Sequence, residues 1–568
     1  MDPREAAQRA LMAYHRRTSH GFGRYAAGPM GLDWDNQPAP FRSWTGAPRT
    51  LLTRYAETPL DAGRESGPDG CAAPGYGALF DPAQRVLVAP RKLELEALAR
   101  FLFDACSLSA QKCYGDARWF LRIPPSSGNL HPCEVHLVLP PTAGLDPATT
   151  VQHYDPREHA LERRGVLSAP EGAALFQGAP DGAFFAAISA IAWREAWKYG
   201  ERAMRYVQHD TGHLLACLDI AATLCGWRTR VVDSVGAAAL SHALGLGAEE
   251  GPEAERPQVL LAVWPGDGEQ EPVFDDGRAA ILGRAAWTGV PTALSTEHVE
   301  WDAIDLAESL SRAPAGGVVD STPTAPWSLP QPSAHPDVPL RTLVRRRRSA
   351  LGYERRAVLD AGAWFAGLAR LLPLPNHRPY TLWPHTPRIH AALFVHGIAG
   401  VEPGIYLLAR APGALERLRP HFSQSGVRGP ALFEPVEGAP EGLPLLRLCR
   451  GDVRSLAAEL ACGQAIAGDA VFSVALLAEL QTGFLALGPP AYRRLHWEAG
   501  LVGHTLYLEA EAQGLVGTGI GCFFDGETAR ALGIGGEGLA SIYQFAVGAA
   551  VVDTRIATSA PYKDASAP

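Results

Sequence analysis

The sequence predicts an α+β fold built twice in tandem, the two copies closing on each other as a pseudo-dimer within one polypeptide. Three observations carry this. At 568 residues the chain exceeds what one hydrophobic core fills. Residues 205–247 and 493–535 align without a gap at a shift of 288 positions (205 to 493), which sets Arg205 on Arg493, Gly212 on Gly500, Gly226 on Gly514 and Gly245 on Gly533. Helical and strand-like stretches also intermix without the regular alternation of a parallel βαβ sheet. Two copies are too few for a solenoid, whereas a duplicated domain can pair with its own repeat.

The elements follow in order. Residues 93–108 place apolar side chains at helical spacing, and residues 134–139 read as a buried strand. Trp193, Trp197, Gly200, Met204, Val207, Thr211, Leu214, Leu218 and Ala221 recur every three or four positions, which predicts one long core helix. A second stripe, Lys198, Arg202, Arg205 and His209, runs beside the first. Strands at 259–264 and 543–547 close the two copies. Between them, residues 296–310 form an isolated amphipathic helix, and the proline-rich run 322–339 reads as a connection. The expected organisation is therefore domain 1 at 1–283, a linker with a short helix at 284–339, and domain 2 at 340–568.

Hydrophobic residues make up 47% and charged residues 20%, with a net charge of −9. That is an ordinary globular composition without the basic face a nucleic-acid binder needs. Nine cysteines lie scattered with no C-x-x-C pair, which points to reduced thiols rather than a disulfide framework or zinc site. The charged start MDPREAAQRALMAYHRR lacks the apolar core of a signal peptide, and no apolar run reaches membrane-spanning length. A soluble, cytoplasmic protein with no membrane or nucleic-acid partner is expected.

The stretch RIPPSSGNLHPCEVHLVL at 122–139 sets a tight polar corner directly against a buried strand. Pro, Ser, Gly and Asn are ordinary turn residues, so a plain loop explains it as well as a ligand cradle does. Two other signals are set aside. GIGGEG at 533–538 follows a helical stretch rather than a strand, so it reads as a helix end and not a dinucleotide fingerprint. His209 and His213 have zinc-ligand spacing but no third ligand.

PSSGNLHP, the segment WREAWKYGERAMRY at 193–206 and VRRRRSALGY at 344–353 resemble the FMN-dependent nitroreductase superfamily. The SagB/McbC-type azoline dehydrogenases are the most similar branch, and LDWDNQPAPF at 32–41 resembles the start of that branch. The resemblance spans most of the chain in two copies. It implies FMN held between the copies, with both contributing. From copy 1 it implies Pro125, Ser126, Ser127 and Asn129 at the ring edge, where close backbone can tune the flavin. From copy 2 it implies Arg347, Arg348, Ser349, Gln464, Gly519, Ile520, Gly521 and Arg555, the arginines for the phosphate. Leu351 stands where the family often has a second basic residue. Lys198 and Tyr199 match the pair that the branch ties to proton removal from substrate.

Only one site is expected to be complete. Copy 2 reads WPHTPRIHAALFV at 383–395 where a Pro-Ser-Ser corner belongs, and ALGPPAYRR at 486–494 in place of Lys-Tyr-Gly. Copy 1 ends its last strand in the acidic PGDGEQEP at 265–272, although Arg16, Arg17 and Thr18 can pass for an arginine motif. The reading is an FMN-dependent two-electron dehydrogenase of an azoline or related C–N unit in a peptide-derived natural product. Its partners would be a small-molecule or peptide substrate and a biosynthetic partner enzyme. Two alternatives stay open: an NAD(P)H-dependent nitro or quinone reductase, and a degenerate scaffold that binds a peptide or partner.

Overall fold

The computed structural model describes residues 2–55, 74–85, 88–247, 250–266, 270–320, 327, 336, 338–383 and 385–562. Most of the proline-rich connection therefore lies outside the described residues, as do Asp267, Gly268 and Glu269 of the acidic run.

Each copy is an antiparallel sheet packed against one long helix. The first sheet runs Ala286–Trp287, Ala160–Val166, Thr150–Asp155, Cys133–Leu139, Phe184–Ile191, Glu255–Pro265, Trp227–Val231. The second runs Glu434–Pro435, Leu445–Arg450, Gly404–Leu408, Ile389–Val395, Phe472–Glu479, Leu539–Gly548, Val516–Ile520, the same order rebuilt. The central strands are buried on both faces because the long helix covers one side and short helices, such as Ala237–Ala243 and Asp276–Leu282 in copy 1, cover the other. The shift of 288 positions holds to the residue: Phe184–Ile191 maps onto Phe472–Glu479, and Ala203–Leu224 onto Ala491–Ala512.

Those two long helices pack on each other along the pseudo-two-fold axis. At the crossing the backbones touch through the paired glycines. A Cβ on Gly212 would strike Trp497 O and lie 2.9 Å from Gly500 Cα, and one on Gly500 would lie 2.5 Å from His209 O. Trp497 Nε1 donates to Gln208 Oε1 across the seam at 2.6 Å. One buried apolar cluster runs through both copies, from Phe101 and Leu214 to Leu393 and Val502.

The terminal segments are exchanged. The helix Pro3–Arg17 lies on copy 2, where Gln8 Nε2 donates to Phe484 O at 3.0 Å. The helix Leu340–Arg346 lies on copy 1, where Arg341 pairs with Asp104 at 2.9 Å. The late strand Ala557–Ser559 pairs antiparallel with Leu108–Tyr114 of copy 1.

One expectation is corrected. The stripe from Trp193 to Ala221 is not one helix. It breaks into Trp193–Tyr199, a 3-10 turn Gly200–Arg202, and Ala203–Leu224. Gly200 sits at φ 52°, where its missing side chain admits Ala27 O and Gly28 Cα. The equivalent Gly488 breaks copy 2 at φ 73°. A period-3.6 stripe survives the break because both pieces face the same core. The expected linker helix at 296–310 is shorter, Asp302–Leu310. The GIGGEG segment does follow a helix, Asp525–Leu532, with Gly533 left-handed at its end. No helix among the described residues is long and apolar enough to cross a membrane.

Candidate active site

The corner at 125–131 is strained backbone. Gly128, Asn129 and His131 have φ of 61°, 60° and 52°, three left-handed residues within four positions. Such conformations cost about 1–3 kcal/mol each for residues other than glycine and persist only where their surroundings fix them. Here the fixing contacts are visible. His131 N donates to Ser126 Oγ at 2.8 Å, Asn129 Nδ2 to Phe120 O at 2.9 Å, and Ser127 N to Asp210 Oδ1 at 3.2 Å. The corner is thereby welded to the hairpin of Leu108–Tyr114 and Ala117–Arg122 on one side and to the long helix on the other.

The break at Gly200 brings the end of the helix Trp193–Tyr199 against this corner. A Cβ on Gly128 would lie 2.7 Å from the Tyr199 hydroxyl and 3.2 Å from Lys198 Nζ. Both side chains are half-buried, and Lys198 has no ion pair among the described residues. Two carboxyls missing from the sequence-based site lie alongside. Asp210 is buried, and burial pushes it up to about 7 against the hydrogen bonds of Ser126 and Ser127. Glu195, one turn before Lys198, has neither carboxyl oxygen hydrogen-bonded among the described residues. Burial, and then Asp210 nearby, hold its pKa well above the usual range. Asp210 showed in the sequence only as a residue between two spaced histidines, and nothing local marked its serine partners.

Copy 2 meets the corner from across the seam. Arg347 is buried, its Nε donating to Ile123 O at 3.2 Å, three residues before Ser126, and its guanidinium lying over the Tyr507 ring. Ser349 Oγ reaches Tyr507 OH at 2.9 Å, and that hydroxyl accepts from Gly519 N at 3.0 Å. One tyrosine thus joins the arginine-serine segment to the glycine-rich one. Ile520 closes that strand and is buried. At Gly521 a Cβ would strike the Tyr206 ring; Tyr206 OH donates to Gly521 O at 3.1 Å, and Tyr199 and Tyr206 have centroids 4.5 Å apart. Gln464 Nε2 donates to Cys522 O at 3.0 Å.

A row of cations follows the strand Leu108–Tyr114. Arg348 Nη2 donates to Ser109 O at 2.8 Å, and Arg348 is close enough to Lys112 to lower its pKa, after the larger effect of burial. Among the described residues Lys112 has no carboxylate partner. Arg555 lies at the far end, over Tyr114 and paired with Asp553 at 2.7 Å, its side chain 72% exposed. Lys112 was invisible in the sequence because only the packing of the segment after Leu340–Arg346 on copy 1 brings Arg348 to it.

Arg202 and Arg205 do not turn toward Lys198. They converge on Asp525, at 2.9 and 2.6 Å, with Thr18 O and Oγ1 completing the cluster. Thr18 therefore joins the Asp525 cluster, and Arg202 links that cluster to Gly521 O at 3.3 Å. His209 stacks on Tyr543 at 4.3 Å, and His213 Nε2 meets its hydroxyl at 3.0 Å.

The pseudo-symmetric position looks different. Gly521 and Cys522 map onto Asp233 and Ser234, and the chain at 313–320 lies over them. A Cβ on Gly317 would strike Asp233 O, and Val318 N donates to that oxygen at 2.8 Å. Asp233 pairs with Arg494 and, at 2.7 Å, with His385; Asp320 pairs with Arg388 at 3.1 Å. Acidic groups and their own counter-ions fill the space.

The nitroreductase family model matches residues 405–549. No curated protein matches the chain. Among solved structures, a provisionally named nitroreductase from Anabaena variabilis ATCC 29413 is 22% identical with a TM-score of 0.65, covering 95% of this chain and 99% of that one. The E. coli microcin synthetase McbBCD complex with truncated pro-MccB17 bound is 18% identical over 47% of this chain and 95% of that one, TM-score 0.26. A nitroreductase structure in complex with FMN from Exiguobacterium sibiricum 255-15 is 12% identical over 37% and 88%, TM-score 0.22. The repeated sheet order and the full-length likeness agree: the chain carries the nitroreductase fold twice in one polypeptide, and residues 405–549 of copy 2 match the nitroreductase family itself.

Proposed function

We propose that the chain is an FMN-dependent oxidoreductase with one flavin site per polypeptide, acting as a dehydrogenase on an azoline or related C–N unit of a peptide-derived substrate. The observation that carries this is the meeting of Ser126–Asn129, Lys198 and Tyr199 of copy 1 with Ser349 and Gly519–Gly521 of copy 2 in one seam. The residues fit a flavin: glycines whose Cβ positions are taken by neighbouring rings leave only backbone on one side, and Arg348 beside Lys112 gathers positive charge for a phosphate. Arg347 orients the corner through its carbonyls, and Arg555 stands at the rim of the cationic row.

Bound FMN would supply a two-electron acceptor. The chain's own residues would handle the proton that leaves the substrate with the hydride. Lys198 Nζ is the group of the Lys-Tyr pair placed to take it. Burial raises the Tyr199 phenol, so it stays protonated and serves as a donor of hydrogen bonds. Asp210 fixes Ser127 and so holds the corner at its distance from both. A peptide substrate and a biosynthetic partner enzyme belong to this reading.

The purified full chain should be yellow, with flavin absorbance near one equivalent per chain. Lys198→Ala should retain flavin and reduce turnover of an azoline peptide by about 10²-fold or more. A colourless protein that takes up no added FMN refutes the flavin site. A Lys198→Ala variant with undiminished turnover removes Lys198 from the proton transfer, and a wild type that leaves the azoline peptide unchanged removes the dehydrogenase reading.

A further inference from the structure

Two thiols meet on the copy 2 wall of the seam. Cys462 lies two residues before Gln464, and Cys522 directly follows Gly521. Their sulfurs are 2.7 Å apart although sixty positions separate them in the chain. Both are half-buried, within reach of a small oxidant, whereas Cys106, Cys133, Cys217, Cys225 and Cys449 are buried. Cys462 is held at φ 56°, a left-handed backbone that aims its side chain across the gap, and the Gln464–Cys522 hydrogen bond already latches the two segments. The surroundings favour a thiolate at Cys522. The hydrogen bond with Cys462, another with His20, and the positive charge of Arg202 together pull its pKa below the usual thiol range against burial. A thiolate in an electropositive, accessible setting beside a second thiol is the arrangement of a reactive dithiol.

We propose that Cys462 and Cys522 form a reversible disulfide that locks the glycine-rich segment to the Gln464 segment in response to a low-molecular-weight disulfide. Cys522 thiolate attacks one sulfur of that oxidant, whose S–S bond breaks and releases the first small thiolate. Cys462 then loses its proton and attacks Cys522 Sγ in the mixed disulfide, releasing the second. The protein pair loses two electrons and two protons, and two small thiols are formed. This step needs no flavin, so it stands or falls apart from the proposed reaction.

The test uses the full chain in mixtures of reduced and oxidised glutathione, followed by alkylation, intact mass and peptide mapping. In oxidising mixtures the wild type should lose two hydrogens, resist alkylation at both positions and yield one cross-linked peptide pair joining 462 to 522, all reversed by dithiothreitol. Cys462→Ser, which removes the resolving thiol, should instead accumulate a glutathione adduct on Cys522. Circular dichroism melting of this variant checks that it is folded. Continued alkylation of both wild-type thiols under oxidising conditions, or a folded Cys462→Ser protein without the adduct, overturns the proposal.

Discussion

Asp210 sets a pH dependence that can be read with its sign. Its folded pKa of about 7 exceeds that of an exposed carboxyl, so folding favours the protonated form. The stability it contributes is complete below the unfolded value near 4 and is lost as pH rises through about 7. Glu195 acts in the same direction, whereas Glu134, lowered to about 2 by Arg194 and His153 against burial, acts only in acid. Relative to Asp210→Asn, the wild type should therefore lose up to about 3 kcal/mol of unfolding free energy between pH 5 and pH 8. Parallel denaturant titrations of the two proteins measure it, and a constant difference would refute the assignment. At this scale the sequence was legible where residues sit side by side, as in Ser126–Asn129 and Lys198–Tyr199. It was silent on Asp210, Glu195, Lys112 and Tyr206, whose partners are distant in the chain or whose role depends on burial.

The two helix breaks make a prediction about elements. A Cβ on Gly200 meets backbone atoms of Ala27 and Gly28, which cannot step aside, whereas one on Gly488 meets Arg4 Nε at 2.9 Å, the end of a mobile side chain. Both positions require a left-handed backbone, which costs alanine about 1 kcal/mol. Gly200→Ala should therefore destabilise the protein by about 2–3 kcal/mol and Gly488→Ala by less, in urea unfolding. Equal losses would show that the contact with Ala27 is unimportant. Apolar spacing revealed the helices and the central strands but not these interruptions, because a stripe records which face is buried and not whether the backbone is continuous. Likewise, nothing in Ala557–Ser559 announces the strand of the other copy that it joins.

The whole molecule was the most legible level, since a gapless shift of 288 positions is a property of the chain that no single contact can disguise. What the shift could not show is how the copies share a core. With one apolar cluster running through both, calorimetry should record a single transition. Gly212→Ala, which drives the crossing helices apart, should lower that transition as a unit, by about 2–4 kcal/mol. Two resolved transitions would mean that the copies unfold independently.

The stretch at 313–320 has a consequence for how such a fused pair keeps its asymmetry. The tether that joins the copies also plugs one of the two clefts that their symmetry would otherwise create, with Gly317 seated on Asp233. Asymmetry is then written into connectivity: cutting the tether would not restore an even-handed dimer, because the plugged cleft carries Asp233 and Val231 where the open one has Gly521 and Gly519.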